Sequence, residues 1–157
     1  MNRALNVCLA FLRIAAGVSL LLSGLAKLGW FSSALPLKQT LTAWAAAAPY
    51  PFVGKYIAAV LPHHGWLSRV VALGELGLGT LLIVGFLTPV AALLAFVMVL
   101  QYQFASGALF TKAYFYGQSG LVYLMAYLVI FAGRAGQSLG LDGAIGRSMQ
   151  GGGGPKK

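Results

Sequence analysis

The stretch Cys8–Trp30, CLAFLRIAAGVSLLLSGLAKLGW, is almost wholly apolar yet carries Arg13 in its first half and Lys27 near its end. About 20 residues of α-helix rise roughly 30 Å, the thickness of a bilayer's hydrocarbon core, so the run reads as a membrane span. A lone charge at mid-bilayer costs about 2.5 to 3.5 kcal/mol on insertion scales, so Arg13 has to be paired, hydrated or functional.

The rest of the chain fits that setting. Of 157 residues, 59% are hydrophobic and 8% charged, and the mean hydropathy is +0.83; soluble domains carry about 25% charged residues. Apolar runs of spanning length recur, whereas the alternating segments of about 10 residues that build a transmembrane barrel are absent. Eleven Lys and Arg stand against only Glu75 and Asp142, a net charge of +9. The basic residues are scattered, mostly at segment ends where they can snorkel to lipid phosphates, which argues against nucleic-acid binding. A single cysteine, Cys8, excludes an internal disulfide and a cysteine-built metal site, and reads as a small apolar filler. Arg3, the apolar stretch and SGLAK imitate a signal peptide, but the run is longer than a normal h-region and Arg13 interrupts it, so a retained span is expected.

Four membrane segments emerge, at about 5–28, 67–87, 89–106 and 118–133. GFLTPV (85–90) offers Gly85 as a break and Pro89 at a helix start, which makes the second and third segments antiparallel neighbours. Between the first two spans, LKQTLTAWAAAA (37–48) and FVGKYIAAVL (52–61) read as short helices, and Trp30, Trp44 and Trp66 suit an interfacial belt. GALFTKAYFYG (107–117) is an aromatic, interfacial connection. The fold class is therefore an all-α integral membrane protein, a four-transmembrane-helix bundle with short interfacial helices in the first loop, formed by residues 1–142. Residues 143–157, ending in GGGGPKK, read as a flexible tail. Four spans put both termini on one face. Five basic residues then fall on each side, so the positive-inside rule does not choose between them.

Arg13, Gly17, Leu20, Gly24 and Lys27 follow at helical steps of four and three and share one stripe, whose glycines let a second helix approach. The basic face is thus turned towards protein. The second span, RVVALGELGLGTLLIVGFL (69–87), supplies Glu75 among Gly74, Gly77 and Gly79. From the span ends, Arg13 lies roughly 5 Å to the terminal side of its midpoint and Glu75 roughly 3 Å to the loop side, an offset an arginine can bridge. An Arg13–Glu75 pair is the expectation. It reads either as a neutralised pair that sets helix register or as part of a polar pocket for a quinone headgroup, an anion or a proton path.

Other polar residues carry blander readings. His63 and His64 are adjacent in a loop with no further His or Cys to complete a metal site, so no metal is expected. Gln101, Tyr102 and Gln103 end the third span at the interface, and Tyr114, Tyr116, Tyr123 and Tyr127 read as belt and packing residues. No nucleophile with its base, nucleotide loop or haem ligand pair is recognisable.

Beyond what composition and spacing establish, LRIAAGVSLLLSGLAKL (12–28) resembles the first helix of DoxX-type membrane proteins, and GELGLGTLLIVGFLTPVAALL (74–94) resembles their acidic second helix and tight hairpin. GRAGQSLGLDG (133–143) is similar to the closing pattern of many members, with SLGLD where many have SLD. The resemblance implies a four-helix bundle related to the membrane subunit of thiosulfate:quinone oxidoreductases. It singles out Arg13, Lys27, Glu75, Arg134 and Asp142, the last two as a C-terminal pair formed by a tail folding back.

Three functions are consistent with this reading. The first is a small accessory subunit of a larger respiratory or photosynthetic electron-transfer complex, not catalytic alone, with no intrinsic cofactor and with lipid, pigment or partner helices at its surface. The second is a quinone-interacting membrane subunit in which Arg13, Lys27 and Glu75 line the site. The third, a small-solute carrier, has only the polar stripe in its favour and lacks an inverted repeat. The location expected is a bacterial inner membrane, with both termini cytoplasmic.

Overall fold

The computed structural model describes residues 3–116, 120–136, 140–144 and 148, and all the regular structure among them is helical. The helices are α1 (Arg3–Ala26), α2 (Leu35–Ala46), α3 (Pro51–Val60), α4 (His64–Val84), α5 (Thr88–Ala105), α6 (Ala113–Tyr116) and α7 (Gly120–Ala132). Short 3-10 turns at Leu28–Phe31, Leu61–His63 and Ala108–Phe110 link several of them. Prolines start the short helices as well as the long one: Pro36, Pro51 and Pro89 each sit in a first turn, where the missing amide would have had no partner. Gly85 stops α4 by turning to φ +74°, and the amides of Gly85 and Phe86 both donate to the Leu81 carbonyl.

Three helical stretches are long and apolar enough to cross a membrane: Arg3–Ala26, Pro51–Val84 and Thr88–Ala105. The protein is an all-α integral membrane bundle with these three candidate spans. Of the fourth expected segment, 118–133, residues 118 and 119 lie outside the described residues; most of the rest is the apolar helix α7, which counts 13 described residues. Its end is set by Gly133 and by Arg134, which takes φ +46°. The tail sequence GGGGPKK lies outside the described residues.

Packing follows the small residues. α1 lies along α4, α5 along α7, the α4–α5 hairpin joins the two pairs, and α7 returns against α1. At the α1–α4 seam the backbones touch: a Cβ on Gly79 would stand 2.7 Å from the Leu21 amide nitrogen, and one on Gly24 2.9 Å from that of Leu76. Arg13, Gly17, Leu20 and Gly24 are all buried on this face, as the stripe requires. In the half of the bundle near the chain termini, the terminal half, Ala91, Ala92 and Ala95 let α5 close on Leu82, Tyr127 and Ile130 in a dense core. At the opposite, loop end, α2 and α3 pack through Leu37, Leu41, Val53 and Ile57 with Trp30, Trp44 and Phe104. Both short helices expected from the sequence are present, and they form a roof over the bundle.

Candidate functional site

Between the dense terminal core and the α2–α3 roof lies a cavity of about 350 Å³. α1 presents Ser19 and Ser23 to it, and Lys27 follows directly after the helix, at successive steps of four residues that keep them on one face. α4 contributes Glu75, which α1 can approach because Gly24 leaves room beside its Cβ. α5 and α7 add Gln101, Gln103, Tyr123 and Tyr127, and the roof adds Trp44 and Tyr56. Most of the remaining wall is aliphatic.

The central feature is an ion pair. Lys27 Nζ donates to both Glu75 oxygens, at 2.6 and 2.8 Å, and to Ser23 Oγ at 2.8 Å. The same ammonium lies 5.6 Å from the centre of the Trp30 ring, within reach of its negative face. Bidentate, charge-assisted contact in a poorly hydrated site offsets much of the desolvation of both groups. Two further bonds cross between the cavity's walls. Ser19 Oγ donates to Tyr123 Oη at 3.0 Å, joining α1 to α7, and Gln101 Nε2 donates to Tyr56 Oη at 2.6 Å, joining α5 to α3.

The expected Arg13–Glu75 pair does not form. Glu75 stands level with Gly24, eleven residues from Arg13 along α1, which is about 16 Å of helix. The expectation placed the two spans midpoint to midpoint, whereas the glycine contacts set a register that carries Arg13 to the far end of α4. There Arg13, 1% exposed, lies against Gly85 and Gly140 and within electrostatic reach of Asp142.

The C-terminal pair is also replaced. The segment does fold back, but the Asp142 carboxylate accepts from the Leu87 and Thr88 amides at 2.8 and 2.9 Å, while the Asp142 amide donates to the Gly85 carbonyl at 3.0 Å. A carboxylate at exposed amides of a helix N-terminus gains from both hydrogen bonds and the helix dipole. Arg134 is exposed, and the ion pair recorded among the described residues is Lys27–Glu75 rather than Arg134–Asp142. Arg13 and Asp142 thus gather at the terminal end, and Lys27 and Glu75 in the cavity.

Sequence reasoning placed Gln101, Gln103, Tyr123 and Tyr127 at interfaces or in packing, yet they face the cavity. Spacing held part of the signal: Gly120, Tyr123 and Tyr127 lie on one helix face, and Gly120 leaves the space that the Gln103 amide occupies. Among the described residues no group of three or more His, Cys, Asp or Glu gathers, and His64 Nδ1 lies 2.9 Å from the Leu61 carbonyl oxygen.

Fold and site together define an integral membrane helical bundle with a largely buried ion pair, Lys27–Glu75, beside its cavity. The chain belongs to the DoxX family, whose pattern it matches over residues 8–108. That region holds Arg13, Lys27 and Glu75 and ends before Arg134 and Asp142. Comparison with curated proteins and with solved structures found no significant match.

Proposed function

We propose that this chain is an accessory membrane subunit of a larger electron-transfer assembly, in which its own contribution is to hold the ring of a quinone-class lipid beside Lys27 and Glu75. The observation that carries this reading is the cavity. Its volume of about 350 Å³ falls in the range of small-molecule sites, roughly 300 to 1,000 Å³, and it combines an apolar wall with a few convergent polar groups. The Lys27 ammonium can donate to a ring carbonyl oxygen, and the Glu75 carboxylate can accept from a ring hydroxyl, so the pair suits both redox forms of such a ring. Electron transfer itself belongs to partners in the assembly. A relationship to the membrane subunit of thiosulfate:quinone oxidoreductases belongs to the same proposal.

The arrangement in the bilayer follows. α7 lies along α5, and we take it to complete a four-span bundle with both termini on one face. Lys38, Lys55, Arg69 and Lys112 are exposed at the loop end. Cytoplasmic termini in a bacterial inner membrane belong to the same proposal.

Gentle extraction into nanodiscs, native separation and mass spectrometry of what migrates with the chain tests the assembly. Quenching of Trp44 fluorescence by a decyl-chained quinone, in a Trp30→Phe/Trp66→Phe variant, tests the site. Glu75→Gln is expected to weaken quinone binding by about tenfold, the order for one lost charge-assisted hydrogen bond, with assembly retained. Unchanged quinone binding together with loss of the subunit from its complex would leave the pair a purely structural role.

A further inference from the structure

We propose that the cavity is loaded sideways from the bilayer, through the seam between α1 and α7, with the Ser19–Tyr123 hydrogen bond as its latch. The ligand class is then a membrane-dissolved amphiphile with a hydrogen-bonding head, and a water-delivered solute is disfavoured. This rests on the reading that the cavity takes a ligand.

Three boundaries of the cavity are closed by packing. Below it, Ala91, Ala92 and Ala95 bring α5 against Leu82 and Ile130, with no room for passage. Above it, the roof is anchored by Val53 and Ile57, both 0% exposed. At the α1–α4 seam, the backbones meet around Gly17, Gly24 and Gly79.

The α1–α7 side is different. Among the described residues, the side-chain hydrogen bond that crosses this side at the level of the cavity is a hydroxyl–hydroxyl bond of 3.0 Å, between a half-buried serine and a tyrosine that is 38% exposed, above the point where Leu20 and Tyr127 enter the packed core. Both residues line the cavity. Around them Val18, Leu22 and Val122 are exposed, an apolar surface of the kind a bilayer covers. Two hydroxyls at such a surface must bond something, because an unpaired polar group in hydrocarbon is strongly disfavoured. A polar headgroup arriving from the bilayer can exchange bonds with both hydroxyls as it passes, so opening the latch strands neither. Closed, the latch keeps acyl chains from filling the cavity.

The test uses proteoliposomes of the Cys8→Ser/Val71→Cys variant, which places one thiol on the α4 wall of the cavity. Two probes are compared, each normalised to its reaction with the unfolded chain: a lipid-partitioning cyclohexylmaleimide and a membrane-impermeant quaternary-ammonium methanethiosulfonate. The maleimide is expected to react at least about tenfold faster. Ser19→Ala should raise its rate by about fivefold, the order for one removed hydrogen bond, and Tyr123→Trp should lower it by filling the seam. If Tyr123→Trp does not fold, the probe preference and Ser19→Ala still decide. Equal reaction of the charged probe, or a maleimide rate indifferent to Ser19→Ala, would overturn the portal and place the opening at the Tyr56–Gln101 rim beneath α3. Failure of a decyl-chained quinone to protect the thiol, with sideways labelling intact, would instead overturn the quinone reading alone.

Discussion

Lys27 and Glu75, 48 positions apart in the chain, meet at 2.6 Å across the α1–α4 seam, with side chains only 15% and 9% exposed. Removing either partner leaves the other charge in a poorly hydrated site. Lys27→Met and Glu75→Gln are each expected to destabilise the bundle by about 3 kcal/mol. Lys27→Met/Glu75→Leu should lose much less than the sum, since it strands no charge. Unfolding in mixed micelles gives the double-mutant cycle; additive losses would mean that the contact contributes nothing jointly.

Gly79 and Gly77 lie two residues apart on α4 and should respond oppositely to substitution. A Cβ at Gly79 would press on the α1 backbone, whereas one at Gly77 meets nothing within 4 Å. Gly79→Val is expected to cost about 2 kcal/mol or more through overpacking. Gly77→Ala should be neutral or stabilising by up to about 1 kcal/mol through helix propensity. Thermal unfolding of the two variants side by side is the check, and equal losses would contradict the seam.

The hairpin turn carries two left-handed residues, Gly85 at φ +74° and Leu87 at φ +49°. Gly85→Ala adds a Cβ where the Arg13 guanidinium lies, so it should cost more than the roughly 1 kcal/mol of backbone strain alone. Leu87→Asn should gain about 1 kcal/mol, because asparagine tolerates this conformation and the leucine is half exposed. Shifts in Tm of opposite sign are the expected outcome.

Asp142 and Arg134 separate in the same way. Asp142→Ala removes the acceptor of two amide hydrogen bonds at the start of α5 and should cost about 1 to 2 kcal/mol, with proteolysis of the C-terminal segment accelerated. Asp142→Asn should recover part of the loss. Arg134→Ala, at an exposed site, should stay within about 0.5 kcal/mol. A large effect at Arg134 would revive its pairing with the tail.

The long helices were legible because twenty apolar residues in a row admit few other structures, and prolines and Gly85 mark their ends. The stripe of Arg13, Gly17, Leu20 and Gly24 was legible because a 3.6-residue period leaves one face for packing. The two short helices of the first loop were legible from their own apolar runs. Their meeting through Val53 and Ile57 to roof a cavity was not, since it depends on contacts between elements that local pattern does not encode.

The sequence by itself determined that this protein lives in a bilayer, that its helices meet through glycine, and that two scarce acids must answer its buried cations. Only the tertiary structure decided which acid answers which cation. Depth read from span ends assumes aligned midpoints, but the α1–α4 register is set where glycine backbones touch. That register gives Glu75 to Lys27 and carries Arg13 to the hairpin end, near Asp142. The tyrosines and glutamines became cavity residues for the same reason: which way a helix faces is decided by its neighbours.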